Sequence, residues 1–272
     1  MTRIAVIGGG RIGEALVAGL LEAGRAVKDL VVVETHANRA GLLADRFGVR
    51  VTDAIDDAAV GADLLVIAVK PADVDAVLTE LGKIELDGDR DQTLVSLAAG
   101  VPTARLESKL PAGFPVVRVM PNTPMLVGQG MSVLAPGRYA KAEQLDLVTE
   151  VLGAVGQVAV VAESQMDAVT AISGSGPAYF FLVVEAMVDA GVSLGLSRDV
   201  AAQLVVQTMI GSAAMLDESG QSAVDLRAAV TSPAGTTAAA VRELERAGVR
   251  SAFLEALHAA ERRSAEQGAS AE

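Results

Sequence analysis

The chain has 272 residues, 51% of them hydrophobic but only 3% aromatic with no Trp, and a formal net charge of −12. A surface this acidic repels nucleic acid and anionic membranes, so neither is expected as a partner. There is no Cys, and His36 and His258 are the only histidines, which excludes thiolate chemistry, disulfides and cysteine zinc sites and leaves no metal centre to expect.

The N-terminus lacks the long apolar core of a signal peptide, which sets the expectation of a cytoplasmic protein. In chain order, residues 4–7 predict a strand, 13–23 a helix, 30–33 a strand and 37–47 a helix. Residues 63–69 are apolar after Asp63, as a strand covered on both faces would be. A helix over 72–81 and strands over 93–97 and 116–120 follow. This alternation predicts an α/β domain with a parallel, doubly wound sheet. Beyond about residue 163 the β-rich runs stop, and helices are expected over 177–194, 200–216, 235–246 and 251–267. Pro177 and Ser197 read as helix starts, Gly195 and Gly248 as stops. Residues 200–216 are apolar nearly all round, so that helix needs cover on more than one side, which a second subunit can supply. The uncharged runs 119–137 and 168–184 are broken by Pro and Gly and do not read as membrane spans.

Gly8, Gly10 and Gly13 form G-x-G-x-x-G around Arg11 and Ile12, directly after the first strand and at the opening of the first helix. In that setting the pattern reads as a dinucleotide fingerprint: Gly8 for the turn, Gly10 for close approach of pyrophosphate, Gly13 for helix–strand packing. The second strand ends at Glu34, where an acidic side chain suits the ribose 2′-hydroxyl of NAD. Thr35, Asn38 and Arg39 follow and suit a 2′-phosphate, so NADH and NADPH both stay open. Ala68-Val69-Lys70-Pro71 closes a strand on the side where such sheets bind ligands; it reads either as a cofactor contact or as a strand end stopped by Pro. Small residues at 96–100, Ala98 among them, would leave room for a ring. Asn122 could bond a carboxamide or cap a turn. Ser232-Pro233-Ala234-Gly235-Thr236-Thr237 is a polar loop opening a helix. Its N–H groups and the Ser232 hydroxyl suit a carboxylate; the alternative is an ordinary helix start with Ser232 as N-cap.

These residues together resemble the pyrroline-5-carboxylate reductase family. The resemblance rests on the fingerprint, on 68–71, on Ser96-Leu97-Ala98-Ala99-Gly100 and on Arg118-Val119-Met120-Pro121-Asn122-Thr123-Pro124. In the helical half it rests on residues 167–179, with Ser173-Gly174-Ser175-Gly176-Pro177, and on 230–237. Ala234 departs from the pattern, which has a second Gly there; a Cβ is uncomfortable if that residue needs a positive φ. The resemblance implies a Rossmann-type domain over 1–162 and an all-helical dimerisation and substrate domain over 163–272. It implies reduction of 1-pyrroline-5-carboxylate to L-proline by NADPH or NADH, the last step of proline biosynthesis, in a homodimer, with dimers gathered further into a decameric ring. Cofactor contacts are expected from Gly8, Gly10, Arg11, Ile12, Gly13, Glu34, Thr35, Arg39, Ala68, Val69, Lys70, Pro71, Ala98 and Asn122. Ser232, Gly235, Thr236 and Thr237 are expected at the substrate. By resemblance Thr237 bonds the ring nitrogen, and Thr170 lies on the same polar wall.

Tyr179 reads as a structural aromatic, Glu218 as a surface charge, His36 as part of the adenosine loop or solvated, and His258 as structural. A dehydrogenase of the 6-phosphogluconate-like group would place a Lys on a long helix near the domain junction, and residues 177–194 and 200–216 contain none. A dinucleotide-sensing regulator is the non-enzymatic alternative; cofactor binding without turnover would mark it.

Overall fold

Short runs of Val, Ile and Leu pair into one eight-stranded sheet of order β3-β2-β1-β4-β5-β6-β7-β8. The computed structural model describes residues 2–84 and 92–269; Met1, 85–91 and 270–272, which the expected domains include, lie outside the described residues. The strands are β1 (Ile4–Ile7), β2 (Leu30–Val33), β3 (Arg50–Thr52), β4 (Leu64–Ile67), β5 (Thr93–Ser96), β6 (Val116–Met120), β7 (Gly130–Pro136) and β8 (Gly156–Val160). Helices α1 (Arg11–Glu22), α2 (Ala37–Phe47), α3 (Ile55–Ala59), α4 (Val74–Leu81), α5 (Thr103–Ser108) and α6 (Ala142–Gly153) connect them. Alternate residues of β1 feed two cores. Ile4 and Val6 pack with Leu16 and Leu20 of α1, Leu43 of α2 and Val148 of α6. Ala5 and Ile7 pack with Ala58 of α3, Val77 and Leu78 of α4 and Leu106 of α5. A period of two thus puts apolar side chains on both faces, and helices cover each face, as a parallel sheet requires.

The pairing from β3 through β6 is parallel, but β7 runs antiparallel to β6, and β8 is parallel to β7. The stretch from β3 to β6 is the parallel, doubly wound sheet the sequence predicts, and β7 and β8 extend it beyond the expected strands. Residues 121–129 between β6 and β7 are too few for a crossover, which takes about a dozen or more. Arg50–Thr52 also pairs, although no strand is expected there: it is a three-residue edge strand with Arg50 exposed.

Contacts divide the chain into two compact units, Met1–Ser175 with Ala260–Glu272, and Gly176–Ala259. The first unit also contains α7 (Met166–Val169) and a π-helical turn, Thr170–Gly174. Its last part is the end of α12 (Val249–Ala269), where Ser264, 4% exposed, donates a 2.7 Å hydrogen bond to the Asp167 carboxylate.

The second unit comprises α8 (Gly176–Ser193), α9 (Arg198–Glu218), α10 (Ala223–Ala229), α11 (Thr236–Arg246) and the start of α12. Gly195 at φ +97° follows the end of α8, and Ser197 caps α9 by accepting the Val200 N–H at 3.3 Å. Gly191 lets the two helices close, since a Cβ there would come within 2.9 Å of Ala201 Cβ. Among the described residues of this unit, Val188 and Ala201 are the buried hydrophobic side chains. Phe180, Phe181, Leu182, Leu204 and Ile210 are exposed. Two helical stretches, Glu163–Ser193 and Arg198–Glu218, are long and apolar enough to cross a membrane by length and composition.

Candidate active site

The fingerprint glycines are set by close approach. Gly8 stands at φ +112°, and a Cβ on it would lie 2.8 Å from the Ala68 carbonyl carbon. A Cβ on Gly13 would lie 2.1 Å from the Gly8 carbonyl oxygen, so α1 can start against β1 only with Gly at that position. Gly10 is different: a Cβ there would meet nothing within 4 Å. It caps α1 with no side-chain bond, so the first-turn N–H groups, which have no intrahelical acceptor, are left for an anion.

A cleft of about 1090 Å³ opens here, at the carboxyl ends of β1, β2 and β4. It is lined by Gly8, Gly10, Glu34, Thr35, Ala68, Val69 and Lys70, which brings together seven of the residues the sequence singled out. The strand order turns back at β1, so the cleft lies at the switch point where doubly wound sheets hold ligands. The open space over Gly10, the anion-ready helix start and a carboxylate at the end of β2 fit a dinucleotide. Arg11, Ile12, Gly13, Arg39, Pro71, Ala98 and Asn122 do not line the cleft. Its outer part is formed by residues the sequence reading passed over, among them Asp53, Asp56, Ala76, Val77 and Glu80. They follow the short β3 or lie on α4, and only the sheet topology brings them to the fingerprint.

Both carboxylate oxygens of Glu34 are engaged by neighbouring donors. Its Oε2 accepts the Gly9 N–H at 3.2 Å and its Oε1 the His36 N–H at 2.8 Å, with His36 Nδ1 3.0 Å away. Burial pushes the carboxyl pKa up, but the hydrogen bonds from the His36 backbone, the His36 ring and the Gly9 N–H outweigh it and hold the group below its ordinary value. Arg39 turns away: its Nε donates to the Gly9 carbonyl at 2.7 Å and its Nη2 to Glu14.

The segment carrying Thr170 is tethered from several elements. Arg118, in β6 and 5% exposed, pairs with Glu163 at 2.6 Å, and Ser264 holds Asp167. Asn122 donates from Nδ2 to the Ser173 carbonyl and hydroxyl oxygens at 3.3 Å and accepts the Met131 N–H at 2.8 Å. Its amide therefore bridges the end of β6 to the π-helical turn. Thr170 Oγ1 donates to the Met166 carbonyl at 2.9 Å, which leaves its oxygen as an acceptor.

In the second unit, α10 leads into the loop before α11. The Gly235 N–H donates to the Ser232 carbonyl at 3.0 Å, closing a tight turn in which Ala234 stands at φ +57°. The N-cap of α11 is Gly235, not Ser232, and Pro233 lies outside the helix. The ordinary capping alternative for Ser232 is thereby removed. Gly235 has no side chain to cap with, so the N–H groups of Thr236 and Thr237 open the helix without one. Thr237 is half-buried and Ser232 exposed. Glu218 is exposed, as expected.

A family model described as pyrroline-5-carboxylate reductase dimerisation matches residues 163–267, and one described as NADP oxidoreductase, coenzyme F420-dependent, matches residues 3–100. A pyrroline-5-carboxylate reductase of Mycobacterium tuberculosis is 55% identical, over 97% of this chain and 96% of that protein. One from Arabidopsis thaliana is 37% identical, over 97% and 95%. The solved pyrroline-5-carboxylate reductase of Coxiella burnetii superposes with a TM-score of 0.93 at 37% identity, covering 98% of both chains. A Plasmodium falciparum pyrroline carboxylate reductase, solved with NADP bound, gives 0.86 at 29%, also over 98% of each. On the strength of matches that run through both halves, this chain belongs to the pyrroline-5-carboxylate reductase family.

Proposed function

We propose that this chain reduces 1-pyrroline-5-carboxylate to L-proline with NADH or NADPH, the closing step of proline biosynthesis, in the cytoplasm. The observation that carries the reading is the glycine-built cradle at the switch point of the sheet, in a chain 55% identical to a named reductase over 97% of its length. When bound, the nicotinamide supplies a hydride to the carbon of the imine bond.

The chain's own residues then hold and orient. The N–H groups at Gly10, Arg11, Ile12 and Gly13 receive the pyrophosphate, with Gly8 shaping the turn. Glu34 and Thr35 meet the adenosine ribose, and Arg39 braces their loop through the Gly9 carbonyl. Ala68, Val69, Lys70 and Pro71 form the wall toward the second ribose, and Ala98 and Asn122 border the nicotinamide end. Ser232, Gly235, Thr236 and Thr237 bind the ring carboxylate at the start of α11. The Thr237 hydroxyl accepts from the protonated ring nitrogen, and Thr170, whose hydroxyl oxygen is left as an acceptor, is the second catalytic hydroxyl. A Thr hydroxyl is a poor acid, so the substrate enters as the iminium or takes its proton through water.

The functional division falls at residues 1–162 and 163–272, with the second part carrying the substrate loop and the subunit contact. The exposed apolar side chains of α8 and α9 support a homodimer, with dimers assembled further into a decamer. A second copy, rather than lipid, covers these helices.

Mixing the protein with pyrroline-5-carboxylate and following the loss of NADH and NADPH absorbance in parallel tests the activity. Oxidation of neither, with dinucleotide binding intact, would replace it with a sensing role. Thr237→Val should lower kcat/KM by about 10- to 100-fold, the worth of a hydrogen bond to a charged group. An unchanged kcat/KM removes Thr237 from the reaction.

A further inference from the structure

Whether a nicotinamide dinucleotide carries a 2′-phosphate is decided at the end of β2, where the sequence offers an acid, Glu34, and a base, Arg39. The geometry separates them. The Glu34 side chain is 10% exposed and lies against the fingerprint loop, held by N–H groups of Gly9 and His36. Gly9 is required for that contact: a Cβ there would stand 2.9 Å from Glu34 Oε2 and 2.4 Å from Leu43 Cδ1. The carboxylate is therefore a fixed part of the cleft wall and has both oxygens aimed by donors already in place.

Arg39 is committed elsewhere. It donates to the Gly9 carbonyl and to Glu14, and Glu14 is also gripped by Arg46 at 2.5 Å. Arg39 does not line the cleft, whereas Glu34, Asp53 and Asp56 do. Among the described residues, the Lys and Arg side chains that line it are Lys70, at the end of β4, and Lys83, which pairs with Glu80 at 2.6 Å. A phosphate monoester placed beside Glu34 would meet like charge with no committed counter-ion, while a ribose diol would find a ready acceptor.

We propose that this chain selects NADH over NADPH, with Glu34 as the discriminating residue and Arg39 as a brace of the fingerprint loop rather than a phosphate anchor. The proposal rests on the reading of the cleft as a nicotinamide dinucleotide site. Isothermal titration of NAD+ and NADP+ into the full-length protein tests it without turnover. NAD+ should bind at least about tenfold more tightly, a factor that corresponds to about 1.4 kcal/mol. Glu34→Gln should shrink the ratio toward parity by tightening NADP+. Arg39→Ala should weaken both dinucleotides by a similar factor and leave the ratio standing. Equal or tighter binding of NADP+ to the unmodified protein overturns the preference, as does a loss confined to NADP+ in Arg39→Ala; either result leaves the reductase reading intact. Failure of both dinucleotides to bind overturns the cleft assignment itself. Because the ratio is read first on the unmodified chain, a variant that fails to fold does not remove the test.

Discussion

The two units of this molecule have similar raw material and opposite fates for it. In the first, Ile4, Ile7, Leu16, Leu64 and Leu65 are fully buried between a sheet and its covering helices. In the second, Phe181 is 63% exposed and Ile210 55%, and the helices that carry them enclose little. A soluble monomer rarely leaves large contiguous apolar surface open. The difference separates a region that completes its own core from one that leaves most of its large apolar side chains uncovered.

That comparison can be broken most directly at α9. Leu204→Glu would bury an unpaired carboxylate in any subunit contact, at several kcal/mol. Sedimentation should then show a single subunit, with turnover down about a hundredfold or more, equivalent to roughly 3 kcal/mol. A variant of unchanged mass and activity would make the face plain surface. In the first unit, Leu65→Ala should cost about 2–5 kcal/mol through the cavity it leaves. Its melting temperature should fall by the same amount at every protein concentration, whereas that of Leu204→Ala should depend on concentration. A concentration-dependent loss for Leu65→Ala would erase the contrast.

Acid gives a smaller effect at Glu34, in the first unit. Glu34 lies below its ordinary value of 4.5 in the folded chain. Its stabilising contribution is complete above that value and is lost as the pH falls through the lowered one. The gap in melting temperature between the unmodified protein and Glu34→Gln should therefore be present at neutral pH and close in strong acid. A gap independent of pH would mean that Glu34 acts by shape alone. The smallest change is at Ala234, the only non-glycine residue with positive φ among the described residues. The left-handed conformation costs a Cβ-bearing residue about 1–2 kcal/mol, and glycine returns roughly half of that as chain entropy. Ala234→Gly should thus stabilise by about 0.5 kcal/mol and raise the melting temperature by about 1 °C. A lower melting temperature would show that the turn relaxes once its surroundings are assembled.

What the sequence revealed was what it repeats locally. Ile4–Ile7 and Leu64–Ile67 are unbroken apolar runs flanked by helical periods, and both are strands buried on two faces. Ala37–Phe47 begins and ends where its pattern does, with Gly48 in the left-handed conformation after it. By contrast, β7 is framed by Gly130 and Pro136, residues that usually mark turns, and its seven positions gain their extended form from neighbours on both sides. Helix α10 is only seven residues long, too short for a period to declare itself. At the candidate site, the glycine fingerprint was legible because its spacing is the mechanism. The division of labour between Glu34 and Arg39 was not, since the partner that claims Arg39 is Glu14, on another helix 25 positions earlier. The Ser232 loop was ambiguous for a similar reason: only the turn at Ala234 moves the helix start to Gly235.

The end of α12 belongs to the first unit, although 84 residues of the second, Gly176–Ala259, lie between it and the rest of that unit. On the ribosome, the eight-stranded sheet is therefore synthesised well before the piece that carries Ser264. Until residue 264 emerges, Asp167 waits without the hydroxyl that holds it in the finished structure. The turn bearing Thr170 would then be among the last parts of the first unit to set, after the helices of the second have been made. The nascent chain would be able to build the cleft at the carboxyl ends of β1, β2 and β4 early and the turn bearing Thr170 late.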